Sequence, residues 1–148
     1  MATVKQEKSV VSVVTTHIIT TSIVMPFFGL LAGYVVTKFF GTSLNDGLLM
    51  IMRDIVYILF FLIGVHYSLL YINKNIVVKN PQRSAKFSII VFGILITAVW
   101  SINVFAGLNS IGVVYNTLFF VIIFAIFFRV TKRFFENLKH EVATVSVS

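Results

Sequence analysis

The 148-residue chain contains no cysteine, only two prolines and only five acidic residues. The absence of cysteine excludes disulfide bonds, thiolate metal sites, CxxC redox motifs and a cysteine nucleophile. Charged residues make up 11% of the chain and hydrophobic residues 58%, whereas soluble domains carry roughly 25% charged residues. This composition cannot form a single core with a water-exposed surface, and it therefore predicts an integral membrane protein.

Four long apolar stretches without charged residues predict the membrane spans. A helix needs about 20 mostly apolar residues to cross the hydrocarbon of a bilayer. The stretches cover residues 18–37, 55–72, 87–106 and 111–128. They are too long and continuous for barrel strands, and lipid forces each backbone to satisfy its own polar groups. We expect an all-α membrane protein in which residues 1–148 form one four-transmembrane-helix bundle.

The distribution of Lys and Arg predicts the orientation. Ten of the twelve precede the first span, lie between the second and third, or follow the fourth: Lys5, Lys8, Lys74, Lys79, Arg83, Lys86, Arg129, Lys132, Arg133 and Lys139. Short cytoplasmic loops retain such residues, so we expect both termini in the cytoplasm and the protein in the cytoplasmic (inner) membrane. Topology and attraction to anionic inner-leaflet lipids also explain the net charge of +7, and no nucleic-acid partner is expected.

The segment that follows the fourth span, residues 129–142, has an amphipathic pattern. Its apolar positions are spaced for one face of a helix, with basic residues on the other faces; they are Thr131, Phe134, Phe135, Leu138 and Val142. The pattern predicts a cytoplasmic amphipathic C-terminal helix. Such a helix can end the span at the interface, lie on the anionic leaflet or contact a partner.

Two ionisable residues stand out as candidates for proton or ion coupling. His66 lies within the second span, and an intramembrane ionisable group is a functional hypothesis by default. A neutral structural histidine, a proton relay and a haem ligand are all open, although a haem held by two histidines would need an oligomer. Asp54 precedes the same span, in a segment that is either an outward extension of the helix or a short interfacial helix. Its carboxylate is either buried and available for coupling or part of a solvated outer rim.

Small and amide residues predict how the helices meet. Gly29 and Gly33 form a GxxxG face in the first span, close to Pro26, which interrupts helical hydrogen bonding. This face can serve packing within the bundle, a homodimer contact or a hinge. Asn103 and Asn116 lie at similar depth on the two sides of the last hairpin, so they can meet as interhelical hydrogen-bond partners or line a polar substrate path.

Catalytic patterns are missing from the sequence. There is no HExxH, no GxxxxGK, no GxGxxG and no pair of carboxylates within the spans. We therefore expect neither an enzyme nor a bound metal or cofactor.

The two helical hairpins resemble each other, which predicts a parallel repeat. Phe28-Gly29-Leu30-Leu31 in the first span is similar to Phe92-Gly93-Ile94-Leu95 in the third, and the exits after the second and fourth spans (68–80 and 125–137) share a pattern of small, apolar and aromatic residues that ends in Asn. Parallel repeats occur in some transporters, although apolar sequence also produces such similarities by chance.

Similar features mark a known family. The basic-aromatic entry Lys86-Phe87 into span three, the glycine in span one, and the exits at 73–79 and 131–135 resemble the GtrA-like family of small four-span membrane proteins. The resemblance covers about residues 20–137. It implies a role in moving sugars linked to polyprenyl phosphate across the membrane for cell-surface glycan modification.

The leading hypothesis is a non-enzymatic protein that translocates or presents a polyprenyl-phosphate-linked or other anionic lipid. Its head group would meet a cationic rim formed by Lys74, Lys79, Arg83, Lys132 and Arg133, with Asn103 and Asn116 further along the path. The alternatives are an accessory or assembly subunit of a larger membrane complex, held by the GxxxG face or the tail helix, and a small proton-coupled carrier.

Overall fold

The computed structural model describes residues 6–41, 45–105 and 110–145, which are helical almost throughout. The helices are α1 (Val10–Ile19), α2 (Met25–Phe40), α3 (Asp46–Asn75), α4 (Pro81–Phe105) and α5 (Ser110–Val145). A π-helical segment, Thr20–Val24, joins α1 to α2. Two short strands, β1 (Gln6–Lys8) and β2 (Ile76–Val78), flank the helices at one end.

The prediction of four apolar helices is confirmed. Within the described residues, four helical segments are long and apolar enough to cross a membrane: Val10–Phe40, Gly47–Asn75, Pro81–Ile102 and Gly112–Lys139. Each of the four is longer than the apolar stretch that predicted it, because the helix continues beyond the apolar stretch at one or both ends. Large apolar side chains cover the outside, and Phe105 is 88% exposed. A surface of this kind is compatible with surrounding lipid.

The first span is irregular close to Pro26, as the sequence predicts. Proline has no backbone N–H, so the carbonyl of Ser22, four residues earlier, cannot form the regular helical bond. The chain adopts its π-helical turns at Thr20–Val24, which include Ser22, and α2 begins at Met25. The turns of a π-helix are wider than those of an α-helix, so this segment changes the directions in which the side chains point.

The helices pack as two pairs joined by α1. Helix α2 packs mainly on α3, α4 packs mainly on α5, and α1 lies against α4 and α3. Stacked aromatic rings fill the centre: the ring centroid of Phe92 lies 3.9 Å from that of Phe127 and 5.7 Å from that of Phe61. All three rings are buried, so α3, α4 and α5 share one core.

A two-stranded parallel sheet lies where α1 begins and α3 ends. Glu7 pairs with Val77 in register, and the Lys79 ammonium lies 2.8 Å from the Glu7 carboxylate. Ser9 then caps α1 by accepting a hydrogen bond from the Ser12 backbone N–H. The sheet places the residues before α1 and the residues after α3 at the same end of the bundle, which we call the basic end.

The C-terminal segment differs from the expected interfacial tail. Residues 129–142 are not a separate helix, since α5 continues without a break to Val145. Thr131 and Phe135 are fully buried, and Phe134 and Leu138 pack against the core. From Thr131 to Leu138, the apolar face that the sequence predicts for lipid or a partner is therefore packed against the other helices, because they too extend to this level. The side chain of Val142 lies outside the described side chains.

Candidate functional site

A buried histidine joins three helices near the basic end. His17 of α1 has no exposed surface; its Nδ1 lies 2.6 Å from the Ser68 hydroxyl of α3, and its Nε2 lies 3.0 Å from the Thr131 hydroxyl of α5. The imidazole stacks on the Phe127 ring at 5.0 Å and meets the edge of Phe135. We call the set formed by His17, Ser68 and Thr131 the histidine clasp.

The donors and acceptors of the clasp balance with a neutral imidazole. The Ser68 hydroxyl donates to the Val65 carbonyl at 3.0 Å, so Nδ1–H of His17 donates to the Ser68 oxygen. Nε2 then accepts from the Thr131 hydroxyl. The Thr21 hydroxyl, in the π-helical segment, lies 3.4 Å from the same Ser68 oxygen. Each polar atom of the clasp has a partner, as buried polar groups require.

A serine beside a histidine also raises the question of nucleophilic catalysis, which the sequence did not indicate. A nucleophilic serine must pass its proton to the imidazole. In the clasp the proton of Ser68 points to a backbone carbonyl, the imidazole is the donor, and its other neighbour is a threonine rather than a carboxylate. Ser68 is also 1% exposed. The geometry therefore favours a structural role for the pair.

The histidine in the core of the bundle is His17. The apolar stretch of the second span instead predicts His66 as the intramembrane histidine. In the structure, His17 is buried and the His66 side chain is exposed on the bundle surface. The pattern Val13, Val14, His17, Ile18 and Thr21 forms one buried helical face. That spacing could have shown that His17 faces the core.

His66 instead lines a groove between α3 and α5. The groove has a volume of 490 Å³, and we call it the α3–α5 groove. Polar groups come from both helices, namely His66, Asn73, Arg133 and Asn137, and the walls are apolar: Leu62, Val65, Leu69, Leu70, Val130 and Phe134. Sequence reasoning selected His66 and Arg133 but missed the two asparagines.

The polarity of the α3–α5 groove changes along its length. Ser68 and Thr131 lie at one level because they bind the same imidazole. Asn73 and Asn137 follow them by five and six residues, about 8–9 Å toward the basic end. Leu62 precedes Ser68 by six residues, about 9 Å toward the middle of the bundle. The groove is thus polar at its outer end, with Arg133 between the two levels, and apolar at its inner end.

The five residues of the expected cationic rim are exposed but not equivalent. Lys79 pairs with Glu7, and Lys132 lies 3.9 Å from Glu136. Among the described side chains, Lys74, Arg83 and Arg133 form no ion pair within 4 Å. Arg133 alone of the five lines the α3–α5 groove. The full positive charge of the rim is therefore partly neutralised, and Arg133 is the member placed beside apolar walls.

Asp54 lies on a continuous helix rather than on a separate interfacial segment. Helix α3 begins at Asp46, and Asn45 caps it by accepting from the Leu48 N–H at 2.8 Å. Asp54 is half-buried, and its carboxylate accepts a hydrogen bond of 2.5 Å from the Tyr115 hydroxyl of α5. This bond connects the two hairpins at the end opposite the basic end.

The other residues selected from the sequence lie elsewhere in the bundle. The side chain of Asn103 lies outside the described side chains, and Asn116 is half-buried, so their expected contact stays a prediction. Gly29 and Gly33 are buried against α3. A Cβ atom on Gly29 would lie 3.2 Å from the Phe60 Cβ, and one on Gly33 would lie 3.8 Å from the Arg53 Cγ.

The described residues contain no group of three His, Asp or Glu side chains able to hold a metal ion together. The class that fold and composition define is an integral membrane protein with four apolar helices. Comparison of the chain with family models, curated proteins and solved structures finds no match.

Proposed function

We propose that this chain is a non-enzymatic membrane protein that binds the head group of an anionic lipid in the α3–α5 groove and presents it or moves it across the bilayer. The observation that carries the proposal is the placement of Arg133 and the amides of Asn73 and Asn137 at the polar end of a groove with mostly apolar walls, with His66 near the middle of that groove. A guanidinium group binds phosphate oxygens in pairs, and the apolar walls suit the adjoining lipid chain. A polyprenyl-phosphate-linked lipid, the substrate implied by the GtrA-like resemblance, fits this description.

The orientation belongs to the same proposal. Nine described basic residues lie at or near the basic end, where β1 and β2 pair; they are Lys8, Lys74, Lys79, Arg83, Lys86, Arg129, Lys132, Arg133 and Lys139. The bias toward cytoplasmic Lys and Arg supports a cytoplasmic location for this end. Gly29 lies close to Phe60, and Gly93 lies close to Phe124. The two residues of each pair are 31 positions apart, and this correspondence supports a parallel repeat of α2–α3 and α4–α5.

The accessory-subunit alternative depended on two surfaces that the chain uses internally. The glycine face lies against α3, and the apolar face of residues 131–138 packs on the core. The carrier alternative depended on Asp54 or His66 titrating during transport, and these residues lie in different halves of α3. The α3–α5 groove offers a more direct account, since its lining groups match one class of ligand.

A binding experiment tests the proposal. The full chain is purified in mild detergent, and native mass spectrometry measures the binding of polyprenyl phosphate, phosphatidylglycerol and phosphatidylcholine. We expect Arg133→Gln to weaken binding of the two anionic lipids several-fold, because the cation on the groove is lost. Arg129→Gln is the matched control, since Arg129 is exposed and does not line the groove. Equal effects of the two variants would contradict a specific site.

A transport experiment tests the second half of the proposal. A fluorescent analogue of phosphatidylglycerol is placed in vesicles that contain the protein, and a membrane-impermeant reductant reports how much of it reaches the outer leaflet. We expect Arg133→Glu to slow this movement and Arg129→Glu to leave it unchanged. Binding without any movement in the wild type would restrict the function to presentation.

A labelling experiment tests the orientation. The cysteine-free chain accepts single reporter cysteines at Gly47 and Val77, which lie at opposite ends of α3 and are exposed. The 30 residues of α3 extend about 45 Å, more than the roughly 30 Å of hydrocarbon. We expect an impermeant maleimide to label Gly47→Cys in intact cells and Val77→Cys only after permeabilisation. The reverse pattern would place the basic end outside.

A further inference from the structure

A second concave site lies between α4 and α5, away from the α3–α5 groove. It has a volume of 360 Å³, within the range of about 300–1,000 Å³ that is typical of ligand sites. Its lining includes Gly93, Ile96, Thr97, Trp100, Thr117 and Phe124. We call this site the Trp100 notch.

The polar groups of the Trp100 notch are already paired within the protein. The indole N–H of Trp100 donates to the Thr117 hydroxyl at 3.0 Å. The Thr117 hydroxyl donates to the Val113 carbonyl at 2.7 Å, and the Thr97 hydroxyl donates to the Gly93 carbonyl at 2.8 Å. An occupant would therefore meet no free side-chain donor among these residues. The remaining lining is aliphatic and aromatic, which matches an apolar occupant that makes no hydrogen bonds.

The shape of the notch depends on the missing side chain of Gly93. A Cβ atom at this position would lie 3.3 Å from the Phe124 ring, so the glycine lets α4 approach that ring closely. The notch lies inside the segments Pro81–Ile102 and Gly112–Lys139, and it opens at the side of the bundle toward the surrounding lipid.

The notch and the α3–α5 groove lie on different parts of α5. Arg133 follows Thr117 by sixteen residues, which corresponds to about 24 Å along the helix and a rotation of about 160°. One lipid head group cannot occupy both positions. The notch lies toward the end where Tyr115 contacts Asp54, so it faces the bilayer leaflet farther from the basic end.

We propose that the Trp100 notch binds one acyl chain of a phospholipid from this farther leaflet. The Thr97 and Thr117 hydroxyls offer no free donor to an occupant, and the lateral opening within the membrane segments admits a chain whose head group stays at the interface. The site does not depend on the proposed function of the α3–α5 groove.

The single tryptophan of the chain reports on this site directly. The full chain is reconstituted in vesicles that mix phosphatidylcholine with phosphatidylcholine brominated at mid-chain, because bromine quenches tryptophan fluorescence on contact. We expect the wild type to lose most of its fluorescence as the brominated fraction rises. A chain held in the notch lies beside Trp100, which lines it, so Thr97→Phe, which fills the notch, should remove about half of that loss or more.

Ala98→Phe is the matched control, because Ala98 neighbours Thr97, is exposed and does not line the notch. It should be quenched like the wild type. Far-UV circular dichroism checks folding, and Thr97→Leu replaces Thr97→Phe if the latter does not fold. Equal quenching of the wild type and the Thr97 variant would overturn the proposal. Recovery of fluorescence on adding a little polyprenyl phosphate would also overturn it, since a prenyl chain would then be the occupant.

Discussion

The histidine clasp allows a direct test of how the bundle is held together. His17→Phe keeps an aromatic ring against Phe127 and Phe135 but removes the two hydrogen bonds to Ser68 and Thr131. Interhelical hydrogen bonds in membrane proteins contribute about 0.6 kcal/mol on average and about 1.7 kcal/mol at most. Two of them give an expected loss of about 1–3 kcal/mol in the free energy of unfolding. His17→Ala adds a cavity beside two rings, and the total should reach about 3 kcal/mol or more.

The assay is reversible unfolding in mixed micelles with increasing dodecyl sulfate, followed by Trp100 fluorescence and by far-UV circular dichroism. His66→Phe is the control, since the same substitution on an exposed site should stay within about 0.5 kcal/mol of the wild type. Combining His17→Phe with Thr131→Val should cost less than the sum of the two single variants, because both remove the same bond. A free energy of unfolding that His17→Phe leaves unchanged would contradict a stabilising role for the clasp. An equal loss of stability in His66→Phe would contradict it as well.

Three further predictions use the same unfolding assay. Gly29→Leu should lower the free energy of unfolding by about 1–3 kcal/mol, because the new side chain meets the Phe60 Cβ. Gly33→Leu should lower it less, because only the flexible Arg53 side chain lies nearby. Equal losses would contradict the close approach of Gly29 to α3. Tyr115→Phe should cost about 1 kcal/mol through loss of the bond to Asp54, and no further loss should follow in an Asp54→Ala background, which has no side-chain acceptor. Lys79→Gln should change stability by less than about 1 kcal/mol, since its ion pair with Glu7 is exposed; a larger loss would show that the pair holds the strands together.

The parts of the fold that the sequence predicts are those that depend on hydrophobic length. Four apolar stretches predict four helices, and Pro26 predicts an irregularity in the first, because both effects are local. The β1–β2 pairing joins residues that are about seventy positions apart, and neither three-residue segment carries a recognisable strand pattern. Only the packing of α1 beside the end of α3 brings them together.

The candidate site was harder to predict because burial in a membrane bundle does not follow hydrophobicity. His66 lies among apolar residues, which predicts only that it is within the membrane; in the structure its helix face points outward into the α3–α5 groove. His17 lies among threonines near the chain start, yet its face carries Val13, Val14 and Ile18 inward. In a lipid-surrounded helix the outer face is as apolar as the inner one, so the position of polar residues around the helix is more informative than hydropathy.

The distribution of polar links indicates where the bundle is held most firmly. Near the basic end, one imidazole ties α1, α3 and α5 together, with every polar atom paired and both bonds fully buried. At the opposite end, the Asp54–Tyr115 bond joins α3 to α5 at a half-buried carboxylate that water can reach. Water competes for an exposed hydrogen bond but not for a buried one. If one hairpin moves against the other, the Asp54–Tyr115 bond should therefore break first. The clasp should then act as the pivot of the movement. Arg133 would stay beside α3 while the opposite end of the bundle opens.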